Sequence, residues 1–212
     1  MRVNLITYTP DPDMVCGKAA AICTNYQGDP IKALKGALSC GHESIAEHAN
    51  FTFEIEGVSR VLLAQLTRHR IASFSVQSQR YAGLGDTASI TIPDSIAKTN
   101  NAVLYGESIS KALKTYEELV QNGVPEEDAR FVVPQGIDTK LMMTMNAREL
   151  RHFFAMRTCN RAQWEIRELA EEMLKQCKEV APVLFADAGC GCVRGACPEG
   201  KKSCGHSRKG EL

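Results

Sequence analysis

The segment RHRIASFSVQSQRY, residues 68–81, sets Arg68, His69, Arg70 and Arg80 among neutral hydrogen-bonding side chains and contains no acidic residue. Its flanking acids are Glu56 and Asp86, so Arg60 belongs to the same acid-free interval. A run of charge is ordinarily a solvated face. Two features favour binding here. The cations have no carboxylates close in sequence to pair with, and guanidinium forks match the geometry of phosphate oxygens. The pattern predicts a local pocket for a phosphorylated small molecule.

A second polar constellation is GHESIAEH, residues 41–48. A helical zinc-protease motif needs its histidines four residues apart, whereas His42 and His48 are six apart, about 240° around a helix of 3.6 residues per turn. That chemistry is excluded by geometry. Two readings remain: these are capping or core-edge groups, or His42, Ser44 and Glu47 present polar atoms to a heteroaromatic ligand.

In NARELRHFFAMR, residues 146–157, a helical register places Arg148 and His152 on one face and Arg157 almost directly above Leu150. An arginine in the stripe of Leu150, Phe153 and Phe154 is costly to bury unless it meets an anion or an acceptor. The other outcome is that it snorkels to solvent. Arg130, in EDARFVVP, is ambiguous by itself.

Nine cysteines divide into two groups. Cys16, Cys23, Cys40, Cys159 and Cys177 lie among apolar neighbours, where a reduced cysteine acts as a small hydrophobe. Cys190, Cys192, Cys197 and Cys204 crowd together, with His206 beyond. Their spacing is not the paired Cys-x-x-Cys of a zinc ribbon, so the expectation is reduced thiols and no metal.

Several elements must position these groups. VNLITYT (3–9) and NFTFEIEGVS (50–59) read as strands, with a helical stretch at 29–49 interrupted at Gly41. RVLLAQLTRH (60–69) predicts a helix leading into the basic segment. That segment ends in the loop GLGDT and a short strand ASITIP (88–93). Gly83 and Gly85 in this loop lack the third glycine of a dinucleotide fingerprint and precede a strand where a helix is required. Further on, residues 100–123 and 125–134 read as helices, TKLMMTMN (139–146) as a strand, and 147–157 and 160–180 as helices. In the last of these Ile166, Leu169, Ala170, Met173, Cys177 and Val180 form one apolar stripe.

Strands and helices mix without a βαβ rhythm, which predicts an α+β fold with a mixed or antiparallel sheet and packed helices. At 212 residues one domain is expected, burying roughly 70% of its unfolded surface. Its span is 1–187, and a Cys-, Gly- and Lys-rich tail follows at 188–212. Lys plus Arg and Asp plus Glu each number 25, which argues against a broad cationic surface for nucleic acid. No run of about 18 apolar residues and no secretory-type leader is found, so the expectation is a soluble, cytoplasmic protein without a membrane partner.

The segment 68–81 resembles the signature of the flavin-dependent thymidylate synthases: Arg-His-Arg, seven residues, then Ser-x-Arg. GHESIAEHANFTF, QLTRHR, ARFVVP and NARELRHFFAMRTCNRAQWEI are similar to further family segments in the same order, so the resemblance covers residues 40–170 and is expected to extend over the whole chain up to the tail. It implies transfer of a methylene group from 5,10-methylenetetrahydrofolate to the uracil ring of dUMP, followed by reduction to methyl with electrons that FAD carries from NADPH. It also implies a homotetramer with active sites shared between subunits.

By that resemblance His42, Ser44, Arg68, His69, Arg70, Asn146, Arg148 and His152 contact FAD. Gln65, Arg68, Ser78, Gln79, Arg80 and Arg130 hold the nucleotide, and Arg157 faces the pyrimidine edge. A fixed guanidinium at N3 and O4 stabilises negative charge there and makes C5 electron-rich. Many members carry Asn-Glu where this chain has Ser75-Val76, so any ligand contact at Val76 comes from backbone. The rivals are a zinc-stabilised nucleic-acid-binding module, which would bind in a steeply salt-sensitive way, and a flavin reductase without methyl transfer.

Overall fold

The computed structural model describes residues 1–81 and 89–212. The loop containing Gly83 and Gly85 lies outside the described residues. The chain runs β1 (Arg2–Tyr8), α1 (Pro12–Thr24), α2 (Pro30–Ser39), a 3-10 turn at Glu43–His48, β2 (Asn50–Ser59) and α3 (Arg60–Leu66). It continues through β3 (Ala72–Val76), α4 (Asp94–Ala97), α5 (Asn101–Gln121), α6 (Glu126–Ala129), β4 (Asp138–Asn146), α7 (Ala147–Arg157) and α8 (Trp164–Val180).

The strands form one open sheet in the order β1-β2-β4-β3, with every pairing antiparallel. Alternation decides its faces. Phe51, Phe53 and Ile55 of β2 and Leu141, Met143 and Met145 of β4 enter the core. On the opposite face the Thr52 and Thr144 hydroxyl oxygens meet at 2.9 Å. Between Glu56 and Val58 the β2–β4 register shifts, and Gly57 sits there at φ +65°. A side chain at that left-handed position would be strained, which makes glycine the natural residue for the irregularity. The expected α+β fold is thereby observed, with a purely antiparallel sheet.

Helices cover the apolar face. Phe51 of β2, Phe154 of α7 and Phe185 pack edge to face, with centroids 5.4 Å apart for Phe51–Phe185 and 5.8 Å for Phe154–Phe185. In α8, Ile166, Leu169, Ala170, Met173 and Cys177 are buried as the stripe predicts, and Val180 is half-buried. Glu165, also buried, accepts Ser59 N–H at 2.7 Å and Ser59 O–H at 2.5 Å. The Ser59 hydroxyl in turn accepts Leu62 N–H at 3.1 Å, capping α3. That anchor sets where α3 delivers Gln65 and the basic segment.

Several elements differ from the sequence expectation: α4 is additional, and the helix expected at 125–134 is reduced to α6 and a 3-10 turn at Arg130–Val132. Helix α1 had no predicted counterpart. It packs on α2 through Gly17, where a Cβ would lie 2.5 Å from the Pro30 carbonyl oxygen. Strand β3 arises inside the basic segment because Ala72, Phe74 and Val76 turn half-buried toward the core while Ser73 and Ser75 face solvent. The expected strand at 88–93 is reduced to a single bridge between Ile90 and Ile137.

Residues 188–212 fold back over α7 and α8. Cys190 N–H donates to the Thr158 hydroxyl at 2.9 Å, and Arg208 Nη1 donates to Thr158 O at 3.2 Å and Glu171 Oε1 at 2.6 Å. Leu212 packs against the core. Among the described residues no helix is long and apolar enough to cross a membrane.

Candidate active site

Helix α7 starts where β4 ends, and its side chains organise most of the candidate residues. Asn146 caps it, the amide oxygen accepting Glu149 N–H at 2.9 Å. Arg148 and His152 are both exposed, on the shared face that the register predicts. Arg148 pairs with Glu47 of the 3-10 turn. That ion pair joins the turn to α7 and leaves both readings of Glu47 open. His42, which precedes that turn, and Ser44 within it line a cavity of about 590 Å³ between α1 and α2.

The centre of the arrangement is His69. It is only 5% exposed and lies edge-on to Phe153, centroids 5.0 Å apart. Nδ1 stands 3.1 Å from Glu149 Oε1, and Nε2 stands 3.2 Å from Arg157 Nε. A guanidinium has no acceptor, so Nε2 accepts from Arg157 and the ring proton resides on Nδ1, donated to Glu149. Burial, aided by Arg157, outweighs the carboxylate and lowers the His69 pKa below its ordinary value, favouring this neutral ring.

Arg157 also donates through Nη2 to the Gln65 carbonyl at 3.4 Å. In the apolar stripe this guanidinium needs an anion or an acceptor. The fold already supplies two acceptors, one from the end of α3 and one just beyond it. Burial and then nearby Arg68 lower the Arg157 pKa. Arg68 and Arg70 flank His69 and are exposed. Among the described residues no carboxylate forms an ion pair with either.

A second group gathers at the other end of α3. Arg80 lies 2.6 Å from Glu127, and the Ser78 hydroxyl accepts Arg80 N–H at 3.1 Å. Arg130 Nε donates to the Glu127 carbonyl at 3.0 Å. Arg60 Nη2 donates to the Gln77 carbonyl at 3.0 Å, and burial followed by repulsion from Arg130 lowers its pKa. Gln79 is half-buried beside them in the chain. The local absence of acids around Arg80 is therefore misleading, because its partner comes from a distant helix. Val76 stands opposite Leu141 in the sheet. Because Gln77 N–H donates to the Lys140 carbonyl at 2.9 Å, Val76 is a non-hydrogen-bonded position whose backbone groups point away from β4 along the sheet edge.

Three residues escaped the sequence reading. Glu149 and Glu127 are the carboxylates just described, and nothing local in the sequence marks either. Arg151 is buried, donating from Nη1 to Leu184 O at 2.6 Å and Asp187 Oδ1 at 2.7 Å, and from Nε to Glu43 Oε1 at 3.2 Å. Burial alone would lower its pKa, but Asp187 and Glu43 hold it above the usual value. Its position between Ala147 and Phe154 on the buried face was legible in the helical register. Arg151 ties the 3-10 turn to α7 and so fixes where His42 and Ser44 sit.

The tail thiols approach each other only in part. Cys190 and Cys192 sulfurs are 3.3 Å apart. Among the described residues no group of three or more His, Cys, Asp or Glu could hold a metal ion.

Comparison with known proteins bears on this arrangement. A family model described as thymidylate synthase complementing protein matches residues 4–183. The flavin-dependent thymidylate synthase of Geobacter sulfurreducens is 48% identical, over 97% of this chain and 94% of that protein. The chain belongs to this family. Proteins of the same name from Clostridium tetani and Pyrococcus abyssi are 44% and 42% identical, over 97% and 94% of this chain and 93% and 90% of their own lengths. The family resemblance read from residues 40–170 is thus upheld, and it extends over nearly the whole chain.

FAD is the family's cofactor, and this chain's side chains fit it. Arg68 and Arg70 leave two exposed guanidiniums beside a buried histidine, with no described carboxylate to neutralise them. That is the donor set a diphosphate requires. The cavity beside His42 and Ser44 is lined largely by carbon, as suits a heteroaromatic ring.

Proposed function

We propose that this chain forms dTMP from dUMP, taking the methylene group from 5,10-methylenetetrahydrofolate and reducing it to methyl with FAD and NADPH. The activity, cofactor and co-substrates follow from family membership. FAD, when bound, carries the reducing electrons from NADPH. The residue roles are those the family resemblance implies, proposed here for this chain. Arg68, His69 and Arg70 hold FAD together with Asn146, Arg148 and His152, and His42 and Ser44 lie beside its ring. Ser78, Gln79, Arg80 and Arg130 hold the nucleotide, with Gln65 and Arg68 beside it.

Arg157 stabilises charge on the pyrimidine. The observation that carries this role is its guanidinium, held by His69 and Gln65 through Nε and Nη2. Two anchored nitrogens leave Nη1 to serve the ligand from a fixed plane. A donor fixed before the reaction needs no reorganisation when charge develops at N3 and O4.

The candidate residues form two groups: one joins Arg148, His152, His69 and Arg157 through the contact of the His69 and His152 rings, with centroids 6.0 Å apart, and the other gathers Arg80 and Arg130 about Glu127. We infer that a homotetramer brings groups from different subunits into one active site. The remaining parts of the reading are a cytoplasmic location and no nucleic-acid partner.

The test supplies purified protein with FAD, NADPH, methylenetetrahydrofolate and dUMP and measures dTMP. Formation of dTMP that requires all four supports the proposal. NADPH oxidation without dTMP would make the protein a flavin reductase. Salt-sensitive binding of DNA or RNA without a flavin spectrum would make it a nucleic-acid-binding module.

A further inference from the structure

We propose that Glu149 is a positioning residue for Arg157, acting by fixing His69 as a hydrogen-bond acceptor. The inference rests on the role given to Arg157 above. Its basis is the continuous contact from Glu149 Oε1 to His69 Nδ1 at 3.1 Å and from His69 Nε2 to Arg157 Nε at 3.2 Å.

The direction of each hydrogen bond follows from the ends of the chain of contacts. Arg157 Nε can only donate, and a carboxylate oxygen can only accept. The imidazole between them therefore donates at Nδ1 and accepts at Nε2. The opposite tautomer would set two N–H groups against each other at Arg157 and leave Nδ1 as a lone pair facing a carboxylate. Glu149 thus selects the one neutral ring form that can hold the guanidinium.

Helix geometry explains why an intermediary is needed. Glu149 and Arg157 both lie on α7, with about 12 Å of rise between their Cα atoms at 1.5 Å per residue. The His69 ring, delivered from beyond the end of α3, spans that gap. Glu149 is itself fixed, buried and with its N–H on the Asn146 cap. Phe153 holds the ring edge-on. The charged and titratable groups facing His69 are Glu149, Arg157 and His152 of α7, with Arg68 preceding it in the chain.

Protonation of His69 removes the acceptor at Nε2. The acid side of the pH profile for dTMP formation should therefore report His69. A neighbouring carboxylate stabilises the imidazolium, so neutralising Glu149 moves that limb to lower pH.

Two variants test this in the full chain with all substrates. Glu149→Gln keeps the size and an acceptor oxygen, whereas Glu149→Leu removes the acceptor. We expect Glu149→Leu to lower kcat for dTMP by up to about a hundredfold, with flavin reduction by NADPH lowered much less. Glu149→Gln should recover much of that loss and show the acid limb displaced to lower pH. An unmoved limb in Glu149→Gln, wild-type dTMP formation in Glu149→Leu, or equal losses in both reactions would overturn the proposal. Arg157→Ala is measured alongside. If it still makes dTMP, the role of Arg157 fails and the proposal with it; if it does not, a failure of the Glu149 variants counts against this inference alone.

Discussion

Arg80 Nη2 stands 2.6 Å from Glu127 Oε2, with both side chains about half exposed. An exposed pair of this kind contributes at most about 1 kcal/mol, so a phosphate can compete for the guanidinium at little cost. We expect Arg80→Lys to weaken dUMP binding by about 1.5 to 3 kcal/mol, the range for a hydrogen bond to a charged group. Deoxyuridine, which has no phosphate, should be unaffected. Titrations of nucleotide and nucleoside against the same variant decide it, and equal losses would remove Arg80 from the phosphate clamp.

Arg157→Ala should lower dTMP turnover by about a hundred to a thousandfold, as for loss of one preorganised donor to a developing anion. FAD should remain bound and reducible by NADPH. Both rates are read on one sample. Parallel loss of flavin reduction would mean that the side chain is structural.

His69→Ala should weaken FAD. The ring is buried between exposed Arg68 and Arg70, and its loss leaves a cavity against Phe153 while freeing Arg157 Nε. Fluorescence titration with FAD measures the effect. Unchanged affinity would exclude His69 from the cofactor site.

Asp187 gives a pH-dependent contribution to stability. Burial opposes its ionisation, but the hydrogen bond from Arg151 and the charge of that residue win, and the carboxyl pKa is lowered. A carboxyl lower in the folded than the unfolded state stabilises fully above its unfolded value near 3.9, and that contribution is lost as pH falls through the folded value. The difference in Tm between wild type and Asp187→Asn should be largest above about pH 5 and shrink in stronger acid. A constant difference across pH would show that Asp187 acts through packing alone.

Truncation after Asp187 should lower Tm, because Leu212 leaves the core and Thr158 loses its partners Cys190 and Arg208. Thermal melts of the two chains test this. An unchanged Tm would mean that the tail contributes no net stability.

The sequence by itself determined the α+β class, the long helices and the residues that carry the family resemblance, because these depend on periodicity and local chemistry. The α8 stripe could be read in this way, as could the shared face of Arg148 and His152. Strand β3 was hidden because polar and charged residues dominate its neighbourhood, and its half-buried side emerges only against β4. Helix α1 was hidden because its burial depends on small residues such as Gly17 fitting against Pro30. Only the tertiary structure decided which charges meet. Glu127 reaches Arg80, Glu149 reaches His69, and His69 reaches Arg157 from segments far apart in sequence. Those pairings set tautomer, orientation and electrostatic field, and they depend on distances that folding brings within 3 to 4 Å and that no local pattern encodes.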